Sequence, residues 1–277
     1  MKTANHWLYI MKKIIYRDIG LIDYKEAWDF QKKIFSEVLD SKQNILNLGR
    51  FAIPHLRDRF SDTCLSARQA ERVSPSADEF IQSKYKSPHL NKNHLIFCEH
   101  PHVYTLGKSG LESNLLINQI QLQAQDASFY KIDRGGDITY HGPGQLVGYP
   151  ILDLEMFGIG LKEYVYMIEE TIIKTLKEFS ITAERLEGAT GVWLNTQTTK
   201  VRKICAIGVK ISRSITMHGF AFNINTDLNY FKFINPCGFT DKSVTSLEKE
   251  LRCKQDMEKV KTVLKAKFAE VFGVNLF

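Results

Sequence analysis

The sequence predicts an α+β fold, and two observations carry that prediction. Short apolar stretches of strand type, such as HLIFCE (94–99), KICAIGVKI (203–211) and HGFAFNIN (218–225), are mixed with amphipathic helical stretches. They do not alternate strand by helix as a doubly wound parallel sheet requires. The chain has 277 residues, enough for one large domain or two small ones, each with its own core. Its 44% apolar and 25% charged content is that of an ordinary globular protein.

Taken in order, residues 11–19 (MKKIIYRDI) read as a first strand. A helix follows from about Asp23, which serves as N-cap with Glu26 in the first turn. Tyr24, Ala27, Trp28, Phe30, Ile34, Phe35 and Val38 form its apolar face at helical spacing. Residues 1–10 read as an N-terminal extension, or as an upstream start ahead of the natural one at Met11. Residues 41–92 are polar and punctuated, and read as an insertion with short helices. The strand HLIFCE leads into HPHVYTLGKSG (100–110), a connection marked by Pro101, Gly107 and Gly110. A short helix around Asn114–Ala124 and a strand at Ser128–Asp133 come next. Residues 160–179 give the clearest amphipathic helix, with Leu161, Tyr164, Val165, Ile168, Ile172, Leu176 and Phe179 on one face. GATGVWL (188–194) reads as a turn and a strand. After the strands at 203–211 and 218–225 come a loop containing NPCG (235–238) and a helix from about Ser246 to Phe272.

Composition excludes several classes. No apolar run approaches the roughly 18–20 residues that span a bilayer, and the first twenty residues lack the pattern of a signal peptide. The 5 cysteines are few and odd in number, which favours free thiols in a reducing cytoplasm over a disulfide framework. No CxxC pair supports a zinc or dithiol site. The net charge of +6 is spread over scattered lysines and arginines, with no nucleic-acid-binding signature.

The most informative stretch is RGGDITYHGPGQLVGYPI (134–151). Five glycines and two prolines in eighteen residues exclude a helix interior or a central strand and predict an irregular loop. Leu146, Val147, Tyr149 and Ile151 are its β-prone exit. A loop of this kind carrying Arg134, Asp137, Tyr140, His141 and Gln145 fits either a ligand-wrapping segment or a long structural turn. Cys237 lies in a second loop between Pro236 and Gly238, whereas Cys98 and Cys205 sit in apolar strand patterns and read as inert small hydrophobes. A thiol with a pKa of ~8.5 is only a few per cent ionised at neutral pH; lowering it to ~7 takes about 2 kcal/mol and raises the thiolate fraction roughly fifteen-fold. His141, His218 and Lys203 are the candidate partners for such a thiol.

Together these pieces resemble the octanoyl-[acyl carrier protein]:protein N-octanoyltransferases. RGGDITYHGPGQLVGYPI, GVW (191–193), KICAIGVKI, MHGFAFNIN and NPCG match that family in order and spacing over roughly residues 94–250, with PHVYTLGKSG and VTSL (244–247) also fitting. The resemblance implies a single mixed-sheet domain like the catalytic domain of biotin/lipoate-protein ligases, here residues 11–277. It implies transfer of an octanoyl group from octanoyl-acyl carrier protein to Cys237 as a thioester. The group then passes to the lysine of a lipoyl domain, as the first step of endogenous protein lipoylation. Acceptors would be the lipoyl domains of 2-oxoacid dehydrogenase complexes and the glycine cleavage H protein. By the same resemblance Lys203 is the partner of Cys237. The acyl pocket would be lined by Arg134, Gly135, Gly136, Asp137, Ile138, Thr139, Tyr140, His141, Ala206, Ile207, Gly208, Gly219, Phe220 and Ala221. No cofactor, metal, nucleic acid or membrane is implied. An ATP-dependent lipoate-protein ligase is the alternative. It would use no cysteine nucleophile, and the sequence has neither a P-loop nor a GRGRxGR type of adenylate loop.

Overall fold

The protein is described by a computed structural model that covers residues 12–52, 93–235 and 243–277. Strand β1 (Lys12–Leu21) leads to helix α1 (Tyr24–Ala52), whose first turn is capped by Asp23 accepting from the Lys25 and Glu26 amides at 2.7 and 3.3 Å. Strands β2 (His94–Glu99) and β3 (Val103–Leu106) are followed by α2 (Gln119–Ala124), β4 (Ser128–Lys131), β5 (Ile138–His141) and β6 (Gln145–Ile151). Next come α3 (Leu154–Phe157), α4 (Leu161–Glu178), β7 (Glu184–Leu186), β8 (Ala189–Leu194), β9 (Arg202–Ser212) and β10 (Ile215–Asn223). The chain closes with β11 (Ser243–Val244), α5 (Leu247–Leu251), α6 (Met257–Phe272) and β12 (Val274–Leu276).

The described residues form a nine-stranded mixed sheet in the order β12-β1-β2-β6-β10-β9-β8-β7, with β11 added to β9, and a three-stranded sheet β4-β3-β5. Pairing is parallel for β12-β1, β1-β2 and β11-β9 and antiparallel across the middle of the large sheet. Period-two alternation sends the side chains of β2 to two cores. Leu95 and Phe97 join Ile168, Ile172 and Leu176 of α4 and Leu264, Phe268 and Phe272 of α6 on one face. Ile96 and Cys98 join Ala27, Ile34 and Val38 of α1 on the other. Leu161, expected on the apolar face of α4, is exposed at its first turn. No helix of the described residues is long and apolar enough to cross a membrane.

Three sequence expectations are corrected here. The glycine-rich stretch is not a continuous loop, because β5 and the central strand β6 leave only residues 142–144 as the turn between them. Gly148 stands inside β6 because a Cβ there would lie 2.1 Å from Cζ of Phe220 on the neighbouring strand. Pro150 is tolerated because the β6–β10 ladder ends at the Phe220–Gly148 pair. His218 stands beyond that end with φ +62°, and its amide donates to Gln31 Oε1 of α1 at 3.2 Å. The long C-terminal helix is two helices, separated where Arg252 takes φ +58° and Asp256 caps α6 through the Glu258 and Lys259 amides. The first helix extends to Ala52, into the span expected as an insertion from residue 41. Residues 1–10 and 53–92 lie outside the described residues.

Replacing Gly148 by alanine is expected to displace the Phe220 ring and destabilise the fold by about 1–3 kcal/mol. The check is a lower urea midpoint with an unchanged slope.

Candidate active site

The two sheets meet at a cavity of about 350 Å³. Its floor is the β9–β10 hairpin, which presents Ala206, Ile207 and Gly208 from one strand and Gly219, Phe220 and Ala221 from the other, with Gly208 registered opposite Gly219. The glycine-rich stretch contributes Arg134, Gly136, Asp137, Ile138, Thr139 and His141.

Two of the sequence-expected residues do not line it. Gly135 lies behind the wall, its amide donating to Val209 O at 2.9 Å. Tyr140 points to the far side of β5, as strand alternation requires. There it hydrogen-bonds His102 at 2.7 Å and stacks on Tyr230 with ring centroids 4.9 Å apart.

Lys203 enters the cavity from the second position of strand β9. Its Nζ donates to Thr190 O at 3.1 Å and stands 4.5 Å from the centre of the Trp193 ring. A β-bulge sets this aim. The β8–β9 register runs Val192–Cys205 and then Trp193–Lys203, so Ile204 is the extra residue that turns Lys203 toward the tryptophan. Gly191, at φ +123°, allows the approach, since a Cβ there would lie 2.6 Å from Cys205 O and 3.4 Å from Lys203 Cε.

Cys237 lies outside the described residues. The chain on either side of residues 236–242 is held in place by backbone hydrogen bonds. Asn235 donates through its amide to Asn114 O at 2.8 Å, two residues before the cysteine. The chain returns at β11, where Ser243 and Val244 pair with Arg202 and Lys203, and the Thr245 amide donates to Lys203 O at 2.9 Å. Ser243 and Val244 also line the cavity. The two cysteines of the sheet are buried, and burial pushes both the Cys98 and the Cys205 thiols up, which leaves them unreactive at neutral pH.

A second group of polar residues gathers round His141. Its Nδ1 donates to Gln145 Oε1 at 2.8 Å, and Gln145 Nε2 donates to Tyr140 O at 3.1 Å and to Asn223 Oδ1 at 2.9 Å. Asn223 Nδ2 then donates to Thr245 O at 3.0 Å, next to the strand that flanks Lys203. Arg134 is a clamp, donating to Thr105 O at 2.7 Å and Thr105 Oγ1 at 3.0 Å.

Burial holds His141 down to about 3, with the neighbouring His100 acting in the same direction. His218 is pushed down to about 4 by burial, in spite of Asp133 Oδ1 at 3.1 Å from its Nε2. His100 is likewise held at about 4 by burial, with Nδ1 donating to Ile22 O and Nε2 accepting from the Tyr149 hydroxyl at 2.7 Å. All three rings are neutral at pH 7. Among the described residues, no group of three or more histidine, cysteine, aspartate or glutamate side chains could hold a metal ion.

Sequence reading missed several lining residues. Tyr24, at the start of α1, reads only as one more apolar position, because its approach to the cavity depends on how the helix crosses the sheet. Trp193 and Thr190 belong to a quoted motif, yet their role follows from the bulge, which no local pattern encodes.

The fold is shared with lipoate-protein ligases. A bipartite lipoate-protein ligase from Thermoplasma acidophilum matches with a TM-score of 0.55 at 14% identity, over 67% of this chain and 73% of its own. A lipoate-protein ligase A determined with ATP matches with a TM-score of 0.54 at 15% identity, over 67% and 75%. The family described as "Lipoyl protein ligase A/B catalytic domain" matches residues 75–269, and the chain belongs to it. Relatives of much higher identity are named octanoyltransferases. That of Cytophaga hutchinsonii is 47% identical over 96% of this chain and 95% of its own, and that of Bacteroides thetaiotaomicron is 58% identical over 73% and 89%. The chain is thus an acyltransferase of the octanoyltransferase group.

The buried neutral rings set a pH dependence. Below the unfolded-state value near 6.5, the unfolded chain takes up protons that His100, His141 and His218 refuse in the fold. Stability is therefore full above ~6.5 and falls as pH drops toward 4, by on the order of 1.4 kcal/mol per pH unit for each ring. Urea midpoints at pH 7.5, 6 and 5 check this. The expected outcome is a steady decline that is shallower in His141→Gln, whereas a flat profile would mean that the rings protonate freely.

Proposed function

We propose that this protein moves an octanoyl group from octanoyl-acyl carrier protein to the lysine amine of a lipoyl domain, with a thioester on Cys237 as intermediate. The observation that carries the reading is Lys203, which stands in the cavity wall beside the point where the chain bearing Cys237 returns to the sheet. The octanoyltransferase names of the relatives supply the acyl group.

In this reading the Cys237 thiolate attacks the thioester carbonyl of the donor, and the carrier's sulfur leaves as a thiol with a proton from Lys203, which is left neutral. The Lys203 ammonium favours the thiolate by proximity of opposite charge. Exchange of one thioester for another is nearly isoenergetic, so neither ATP nor a metal is needed. In the second step the acceptor lysine must lose its proton before attack. Lys203 in its neutral form takes that proton while the Cys237 thiolate leaves. The acceptors are the lipoyl domains of 2-oxoacid dehydrogenase complexes and the glycine cleavage H protein, and the setting is a reducing cytoplasm that keeps Cys237 free.

Ala206–Gly208, Gly219–Ala221 and the glycine-rich stretch take the alkyl chain, with His141 and His218 as neutral positioning groups. Each buried methylene contributes about 0.8 kcal/mol, so a pocket that closes at eight carbons favours C8 over C6 by ~1.6 kcal/mol, roughly fifteen-fold.

Intact mass after incubation with octanoyl-acyl carrier protein tests the reading. A C8 acyl adduct is expected on the wild type, absent from Cys237→Ala and formed about 100-fold more slowly in Lys203→Ala. No adduct, with a lipoyl domain acylated only when ATP and free octanoate are supplied, would instead establish a ligase.

A further inference from the structure

Glu169 is a buried carboxylate on α4, only 8% exposed, between Ile168 and Ile172, which belong to the main core. A carboxylate placed there must be hydrogen-bonded to be tolerated. Both of its oxygens are. Oε2 accepts from Arg185 Nε at 3.1 Å, and Oε1 accepts from the backbone amide of Gly191 at 3.0 Å. Arg185 is itself fixed by Glu170 at 2.7 Å, by Tyr166 O at 3.0 Å and by the face of the Tyr166 ring at 3.6 Å.

The amide that Glu169 holds is the other end of a peptide group already described. Thr190 O and Gly191 N belong to one planar unit, with the carbonyl and the N–H pointing in opposite directions. Lys203 Nζ donates to that carbonyl at 3.1 Å. The β7–β8 register shifts at this point, between the Glu184–Trp193 and Leu186–Ala189 pairs, so the unit stands at an irregular step of the ladder.

We infer that Glu169 is a positioning residue for Lys203, acting through the Thr190–Gly191 peptide group, whose N–H end it grips while the carbonyl end receives the ammonium. The inference rests on the acyl-transfer role proposed for Lys203. Two effects follow. The peptide cannot rotate, so the acceptor that directs Lys203 keeps its place. The carboxylate also polarises the peptide, because hydrogen bonds in series strengthen one another. The carbonyl becomes a better acceptor and the ammonium form of Lys203 is favoured. Arg185 keeps the carboxylate from turning away, and Glu170 remains to pair with Arg185 if Glu169 is neutralised.

A double-mutant cycle tests this. The rate of octanoyl-adduct formation is measured in single turnover for the wild type, Glu169→Gln, Lys203→Ala and the double variant, with urea midpoints to show that each is folded. Glu169→Gln is expected to slow the adduct about ten-fold in the wild type and to add nothing in Lys203→Ala. An unchanged rate in Glu169→Gln, or the same slowing in both backgrounds, would overturn the inference. A second readout needs no acyl transfer. Labelling of Lys203 by an amine-acylating reagent, located by peptide mass, is expected to be about three-fold faster in Glu169→Gln, the equivalent of half a pH unit of lost ammonium stabilisation. Equal labelling in the two proteins would overturn the inference as well. If the wild type takes up no octanoyl group, the acyl-transfer reading fails, and the labelling alone decides whether Glu169 governs Lys203.

Discussion

The floor of the cavity and the strands on either side of it are referred to strand β10, which is buried at all nine of its positions and hydrogen-bonded along both edges. Along its β9 edge it fixes the strand that carries Lys203, and along its β6 edge it fixes the strand that ends the glycine-rich stretch. Its own Gly219, Phe220 and Ala221 are the floor between them. A shift of one residue in this ladder would send every side chain of β10 to the opposite face. The interruption at Pro150 and His218 therefore matters as much as the pairing. It lets His218 leave the plain strand conformation and turn Nε2 toward Asp133, where a regular ladder would hold it in line.

The cavity combines the cation of Lys203 with histidine rings that burial keeps neutral. Lys203 is the charged group that the proposed chemistry uses, while the three histidines near the polar end are kept uncharged by burial. Arg134 adds a second positive charge, but its guanidinium is directed into Thr105. The hydrogen-bond series from His141 through Gln145 and Asn223 to Thr245 ends one residue beyond β11, so the polar end and the lysine end share a scaffold.

Much of this was legible in the sequence. The helical spacing of Ala27, Ile34 and Val38, and of Tyr164, Ile168, Ile172 and Leu176, gave the buried faces of two helices directly, because amphipathic periodicity records burial. Most of the residues assigned to the pocket by motif resemblance stand round one cavity. What was not legible depends on tertiary context. Gly148 and Pro150 forbid a central strand on local grounds, and only the Phe220 ring and the end of the β6–β10 ladder make them acceptable. Tyr140 was grouped with its neighbours, although the alternation of β5 sends it to the other side. Glu169 gave no signal, because a glutamate in a helix is ordinary until the strand beneath it presents an unpaired amide.

The parallel pairing of β12 with β1, Lys12 against Val274 through Ile14 against Leu276, joins segments from opposite ends of the described chain. During synthesis β1 leaves the ribosome early and β12 late. In the interval β1 can pair with β2 on one side only, and its other edge is an open row of amides and carbonyls. Contacts of such long sequence separation form slowly, since the chain between them must first be ordered. Among the described residues the sheet is thus completed at the edge farthest from the cavity, by a strand that is made late. The cavity walls between β5 and β11 can be in place before that edge is closed.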